Sequence, residues 1–488
     1  MLTRFRVSGF KNLVDVDVSF GPFTCIAGGN GVGKSNLFDA ISFLAALADK
    51  PLLDAALSVR SEGGQTGDVN TIFQHVGDTH ANELSFEVEM LVPQTGTDDL
   101  GQEAKASISF LRYSLRIGRR DGAARAPGLV IRNEELVHVK LGDAQEHLAF
   151  PHSAAWRRSV ATGRKTSPFI STAGGQIKLH GDVGTGGRPR LHQAASLPRT
   201  VLSSASASES PTALLARREM QSWRVLQLEP SAMRAPDSFN APGRVDTHGA
   251  HLPATLERLI RQDAHSLSAA LEARIYSRVA NRLAELVEGI RSIQVKRDEK
   301  RELLTLVVTD RSGTEHEARA LSDGTLRFLA LAVLEADPKA VGLLCLEEPE
   351  NGIHPERLGA MMGLLQELAV DPQDQIGEDN PLRQVIINTH SPSVVSIVPD
   401  DALLYAGLEP LPDGHDAQGA VLRWLPHTWR SRANPRTRTM AKGDLLAYLN
   451  PTGGLERLPP VNGSKAMEPV PVGLREDLQI LLPFSSGT

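Results

Sequence analysis

Ala27-Gly28-Gly29-Asn30-Gly31-Val32-Gly33-Lys34-Ser35 fits the phosphate-loop pattern G-x-x-x-x-G-K-[ST], with Gly28, Gly33, Lys34 and Ser35 at the four specified positions. A triphosphate crowds negative oxygens into a small volume. Its site therefore needs inward-facing backbone N–H groups and little side-chain bulk, which glycine allows. The flanks agree. Phe23-Thr24-Cys25-Ile26-Ala27 is a short apolar run suited to a buried parallel strand, and Leu37, Ala40, Ile41, Leu44, Ala45 and Ala48 recur at helical spacing after it. Such a loop hands phosphates to a helix N-terminus, worth about 0.3–2 kcal/mol per favourable anionic contact. Asn30, Gly31, Val32 and Asn36 join the nucleotide-binding candidates, Lys34 would reach the outer phosphates, and Ser35 would ligate magnesium.

The chain of 488 residues can hold two to four domains, or one large domain with insertions. Its 41% hydrophobic and 23% charged residues leave ample material for a core. At a net charge of -6, any nucleic-acid contact must come from a local basic patch. Cys25 and Cys345 lie in apolar runs with no CxxC or Cys/His neighbourhood, which argues against a disulfide framework or zinc site. No apolar run approaches the ~18 residues of a membrane helix. Residues 1–7 alternate like a strand and lack a signal peptide's apolar core. The expectation is a soluble, cytoplasmic protein.

Residues 2–8 and 14–20 alternate in hydrophobicity, and Gly9-Phe10-Lys11-Asn12 between them predicts a hairpin turn. Past the loop helix, Gln74 reads either as a magnesium- and water-sensing glutamine or as an ordinary surface residue. Residues 84–92, 107–117 and 129–140 predict an antiparallel sheet. From about 151 to 211 the composition shifts to Gly, Ser, Ala, Arg and Pro, which predicts a mobile insertion. Its Arg157, Arg158, Arg164, Lys165, Arg188, Arg190 and Arg199 are balanced only by Asp182 and Glu209, as in a solvated loop or a DNA- or partner-binding one. Leu267, Leu271, Ile275, Val279, Leu283, Leu286 and Ile290 then recur at helical steps, predicting an arm or a core helix about 35–40 Å long.

Residues 303–309 and 315–318 predict a second hairpin. Leu321-Ser322-Asp323-Gly324-Thr325 opens a helix with Ser322 as its N-cap and Pro338 beyond its end. Next, residues 341–348 form an apolar strand ending in Glu347 and Glu348, and Val385-Ile386-Ile387-Asn388 is a second strand ending just before His390. Burying unpartnered charge costs several kcal/mol, so paired carboxylates at a strand end ask for a chemical reason. Beside a phosphate loop, Glu347 would hold magnesium through water, and Glu348 would orient or deprotonate the attacking water for an in-line displacement. His390 would contact the terminal phosphate.

The order of residues 28–35, 321–325, 343–348, 350–354 and His390 resembles the ABC-type ATPases, in detail the soluble branch of RecF, SMC heads and OLD-type (overcoming-lysogenization-defect) ATPases. The run Leu-Glu-Glu-Pro-Glu-Asn-Gly-Ile-His-Pro over 346–355 is similar to the OLD-like subgroup, many of whose members serve in bacterial anti-phage systems. The match covers about residues 1–90 and 300–410. The resemblance implies an α/β P-loop NTPase of ABC-ATPase type, with a mixed central sheet, an antiparallel β subdomain and a helical arm or insertion. It also implies ATP and Mg2+ as ligands, and hydrolysis to ADP and phosphate. In that family two units sandwich two nucleotides, so Ser322 and Gly324 would reach across a homodimer to the partner's terminal phosphate. Lys11 and Asn12 fall where the first hairpin turn approaches the nucleotide. Two departures stand out. The strand ends Glu-Glu where the family usually has Asp-Glu, and the signature is Leu-Ser-Asp-Gly-Thr where the common form is Leu-Ser-Gly-Gly-Gln.

These features divide the chain into an N-terminal ATPase lobe (1–92), an antiparallel β region with the insertion (93–250), a helical arm (251–300), a C-terminal ATPase lobe (301–445) and a tail (446–488). OLD nucleases append a Toprim nuclease domain. Here only about eighty residues follow His390 and its helix, without an acidic cluster suggesting a nuclease. The leading expectation is an ATP-driven switch that dimerises or oligomerises and controls a separate effector, a nuclease, as in the two-gene PARIS and Septu systems. The alternatives are a RecF-like ATPase that binds duplex DNA directly, and a scaffold stabilised by bound ATP with little turnover. No membrane partner is expected.

Overall fold

The phosphate-loop strand Phe23–Ala27 lies inside a six-stranded sheet. The strand order is Arg224–Leu226, Gly342–Glu347, Arg383–Thr389, Phe23–Ala27, Leu403–Pro410 and Gln418–Arg423. The first five strands run parallel and the last is antiparallel. The computed structural model describes residues 1–59, 68–76, 79–120, 128–182, 190–261, 269–411, 417–433, 439–449 and 471–474.

Parallel strands joined by helical crossovers are covered on both faces, and so read as continuous apolar runs. The Gly342–Glu347 strand shows how one run serves two cores. Leu343 and Cys345 face the core that contains the phosphate-loop helix, Lys34–Leu47, while Leu344 and Leu346 face the core that contains the signature helix, Asp323–Ala336. Ser322 caps the signature helix as expected, its hydroxyl accepting the Thr325 N–H at 3.2 Å.

The phosphate-loop helix packs against a second, eight-stranded antiparallel sheet. Its order is Arg190–Gln193, Gln176–Leu179, Ile170–Ala173, Gly128–His138, Phe110–Arg120, Glu83–Leu91, Leu2–Ser8 and Val16–Ser19. Phe10, Phe43 and Phe86 meet at ring-centroid distances of 5.8–5.9 Å, joining hairpin turn, helix and sheet. The terminal hairpin and the middle strands are where alternation in the sequence places them.

Two segments differ from expectation. The stretch from 151 to 211 is not a mobile loop in its described part. It holds the helix Ala154–Val160 and the last three strands of the antiparallel sheet, because Trp156, Phe169, Ile170 and Ile177 are fully buried despite the Gly- and Ser-rich surroundings. Arg188 lies outside the described residues. The single long helix is likewise corrected, and of the two roles open to it, arm or core helix, the described part takes the second. Leu252–Arg261 and Ala269–Leu286 are separate helices, Leu267 lies outside the described residues, and Ile290 begins a strand, Ile290–Asp298, after Gly289 takes a left-handed φ of 91°. Val279, Leu283 and Leu286 are buried in the core shared with the signature helix, so the second helix covers the lobe and does not project as an arm. Most of the tail, 450–470 and 475–488, lies outside the described residues. Among the described residues no helix is long and apolar enough to cross a membrane.

A buried carboxylate joins the antiparallel sheet to the far end of the phosphate-loop helix. Glu134 accepts the N–H groups of Val201 and Leu202, both at 2.8 Å, and the Tyr113 hydroxyl at 3.1 Å. The adjacent Thr200 hydroxyl donates to Leu47 O at 3.0 Å. Burial pushes the Glu134 carboxyl up to about 7, against the backbone N–H groups that favour its charge. The folded chain therefore holds this proton at higher pH than the unfolded chain does. The resulting stabilisation is full below about pH 4.5 and is lost as the pH rises through about 7. Glu134→Gln cannot titrate, so the stability lead of the natural chain over this variant should be larger at pH 5 than at pH 8 in urea unfolding. A lead independent of pH would contradict the assignment.

Candidate functional site

The geometry of the phosphate loop is set by its tight neighbours. Gly33 has a left-handed φ of 103°, and a Cβ there would stand 2.7 Å from Asn12 Oδ1 and 2.8 Å from the Ala420 Cβ. Glycine is required on both counts. Asn12 in turn accepts the Asn36 side-chain N–H at 2.9 Å, and Lys11 pairs with Asp39 on the loop helix at 2.7 Å. The first hairpin turn is thus fastened to the phosphate-loop helix. The Lys34 ammonium folds back over its own loop, donating to Gly28 O at 2.8 Å and Gly29 O at 2.6 Å. Burial lowers its pKa, while Glu348, Glu350 and Glu347 pull the other way.

Strand register brings the acidic residues to the same edge. Glu347 is level with Asn388, and Asn388 with Ile26, so the carboxylates, Asn388 and the phosphate loop all emerge at the carboxyl ends of neighbouring strands. This edge is where open α/β sheets bind ligands. A cavity of about 570 Å³ opens there, bounded by Asn30, Gly31, Gly33, Lys34, Ser35 and Asn36 from the loop and by Glu347, Glu348, Asn351 and Asn388 from the strand ends. Arg327 of the signature helix also lines it.

Glu348 is held from several sides. It adopts a left-handed φ of 46°, and its N–H donates to Asn388 O at 3.0 Å and to Asn388 Oδ1 at 3.1 Å. Its carboxylate accepts the Asn351 amide at 2.9 Å and lies 2.6 Å from His390 Nδ1. Partial burial would raise its pKa, but Asn351, His390 and Lys34 outweigh that and hold it below the usual carboxylate value. Glu350, two residues on, is buried and accepts the Thr389 hydroxyl, tying the 349–354 turn to the strand that carries His390. Burial raises its pKa.

The structure thus unites Lys34, Ser35, Glu347, Glu348 and the loop residues around one cavity, with His390 against Glu348. Gln74 is elsewhere. With Lys11, Asn12, His75 and His80 it lines a neighbouring cavity of about 430 Å³ that shares Gly31 and Asn36 with the first. Ser322 and Gly324 do not line the Lys34 cavity of their own chain. Gly324 has an internal reason to be glycine, since a Cβ there would stand 2.2 Å from Gly352 O. The unusual Asp323 pairs with Arg234 at 2.6 Å, and Arg234 also donates to Leu321 O at 3.0 Å. Sequence reasoning missed Arg327, Asn351, Glu350 and Asn388 as site residues. Only the polar positions around the two carboxylates hinted at the last three.

Among the described residues no group of three or more His, Cys, Asp or Glu is placed to hold a metal ion by itself. Ser35 and Glu347 do fit magnesium in chemistry: a hydroxyl and a carboxylate on one cavity, to be completed by phosphate oxygens and water.

A phosphate loop and a carboxylate strand at one edge of a mixed sheet define a P-loop NTPase fold. The chain belongs to the family described as "AAA domain, putative AbiEii toxin, Type IV TA system", which it matches over residues 23–94 and 192–396. No curated protein matches the sequence. Solved structures similar to it include an SMC head bound to the C-terminal winged-helix domain of ScpA (14% identity, 87% of this chain and 98% of that one, TM-score 0.46). A second is the SMC head domain from Thermotoga maritima (13% identity, 86% and 98%, TM-score 0.34). A third is an SMC head with an extended coiled coil bound to the C-terminal domain of ScpA, derived from Pyrococcus furiosus (12% identity, 87% and 96%, TM-score 0.42).

The Gly324 contact can be tested against a glycine with room around it. Gly324→Ala should lower stability to urea by about 2 kcal/mol through the backbone clash. Gly363→Ala, on a helix with nothing within 4 Å of the added carbon, should be neutral or stabilising by up to about 1 kcal/mol. Equal effects at the two sites would remove the steric account.

Proposed function

We propose that the chain is an ATP-hydrolysing switch that closes as a nucleotide-sandwich homodimer and controls a separately encoded effector, a nuclease, in anti-phage defence. The observation that carries the catalytic part is the Glu348 carboxylate, fixed between Asn351 and His390 on the cavity that also holds Lys34. The family description, with its toxin of a type IV TA system, supports the part played by a partner system.

The proposed chemistry follows from the placement of groups. Lys34 leaves the Gly28 and Gly29 carbonyls for the outer phosphates, and the loop N–H groups receive the remaining oxygens. Glu348, ionised at neutral pH, orients water for in-line attack and takes its proton, while His390 steadies the carboxylate. Magnesium, held by Ser35 and through water by Glu347, would neutralise charge on the phosphates. Ser322 and Gly324 face the partner's nucleotide, so ATP favours the closed dimer and hydrolysis releases it.

Lys34→Ala should weaken ATP binding about tenfold or more. Glu348→Gln should bind ATP normally, lose about 10²–10⁴ in kcat, and accumulate as an ATP-bound dimer by light scattering. Normal turnover by Glu348→Gln would exclude this carboxylate as the base. For the effector, the tagged chain expressed with its neighbouring genes should copurify a nuclease-like protein in ATP and magnesium, less so with Lys34→Ala. If it purifies alone and shifts duplex DNA with strong salt dependence, the RecF-like reading replaces the effector one.

A further inference from the structure

We propose that Arg327 is a positioning residue that fixes the Glu348 carboxylate through Asn351, and so ties the start of the signature helix to the water-activating group of the same chain. This rests on the ATPase reading above.

The contacts form a continuous path. Gly324 in the first turn of the signature helix meets Gly352 O so closely that no side chain fits between them. Three residues on and along the same face, Arg327 donates through Nη1 to Asn351 O and through Nε to Leu228 O at 3.2 Å. Asn351 grips Glu348 twice, its backbone N–H donating to Glu348 O at 3.0 Å and its side-chain amide to Oε2 at 2.9 Å. His390 meets the other carboxylate oxygen.

Glu348 depends on such support. A non-glycine residue with a left-handed φ persists where its surroundings over-determine it. The 348–351 turn is defined by the Asn351 N–H, and Arg327 anchors the carbonyl at the far side of the same residue. A shift of the signature helix end against this turn moves the Asn351 carbonyl and releases or tightens the carboxylate. Whatever presses on Ser322 and Gly324 therefore acts on Glu348 inside one chain. Arginine suits the task because its rigid fork reaches two carbonyls in fixed directions, which the single ammonium of lysine does not.

Arg327 also lines the cavity, so the competing role is direct phosphate binding. Steady-state ATP hydrolysis and affinity for a fluorescent non-hydrolysable ATP analogue, measured on the full chain, separate the two. Arg327→Met and Asn351→Ala should each lower kcat about 10–100-fold with analogue affinity within about threefold of the natural chain. The double variant should be no slower than the worse single one, because both break one path. Arg327→Lys should recover only part of the rate. The inference is overturned if Arg327→Met loses affinity at unchanged kcat, if either single variant turns over normally, or if the two losses multiply. Absence of turnover in the natural chain would instead bring down the ATPase reading, before any variant is compared.

Discussion

Negative charge at the carboxyl ends of the parallel strands is the constraint from which the rest follows. Glu347, Glu348 and Glu350 stand within four residues, and ionised carboxylates brought this close to a buried edge cost several kcal/mol unless partners compensate. The compensation differs for each. Asn351, His390 and Lys34 favour the charged form of Glu348, burial outweighs the Thr389 hydroxyl at Glu350 and raises its pKa, and Glu347 opens onto the cavity. The Lys34 ammonium is itself satisfied by two loop carbonyls, of Gly28 and Gly29.

That edge exists because the sheet is covered on both faces. Apolar side chains of the Gly342–Glu347 strand alternate between two cores, leaving only the strand end for polar chemistry. The antiparallel sheet closes one face through the phosphate-loop helix, and its hairpin turn delivers Asn12 to the loop. The sheet is thus part of the site's support. Phe10, Phe43 and Phe86 transmit this support, linking a packed core to the glycine-rich loop.

Most of this was legible in the sequence wherever local pattern and burial agree. The phosphate loop, the strand before it, the helix after it, the carboxylate strand and the Ser322 cap all follow from short-range rules. What was not legible depends on residues far apart in the chain. Asn351 looks like any turn residue until its amide is seen on Glu348, and Arg327 like any charge on a helix until it meets two carbonyls. The 151–211 stretch misled because composition averages over its length, whereas a few apolar side chains at the right strand positions fix its place. The long helical pattern misled for the opposite reason: Ile290 continues the period, but Gly289 breaks the backbone.

The departure at Asp323 shows how the site tolerates a changed signature. An extra carboxylate in the first helical turn is favourable to the helix itself, whose N-terminal end carries partial positive charge. Arg234 pairs with Asp323 at 2.6 Å while donating to the preceding carbonyl of Leu321. Both partners of this pair are solvent-accessible, so it adds little to stability. Its effect is on local charge: the guanidinium offsets the carboxylate that stands where the common form has glycine. Ser322 spends its hydroxyl on Thr325, and Gly324 its missing side chain on Gly352. The signature is therefore built first as a joint within its own chain, and any reach to a second chain is made by a helix end that this joint already holds in place.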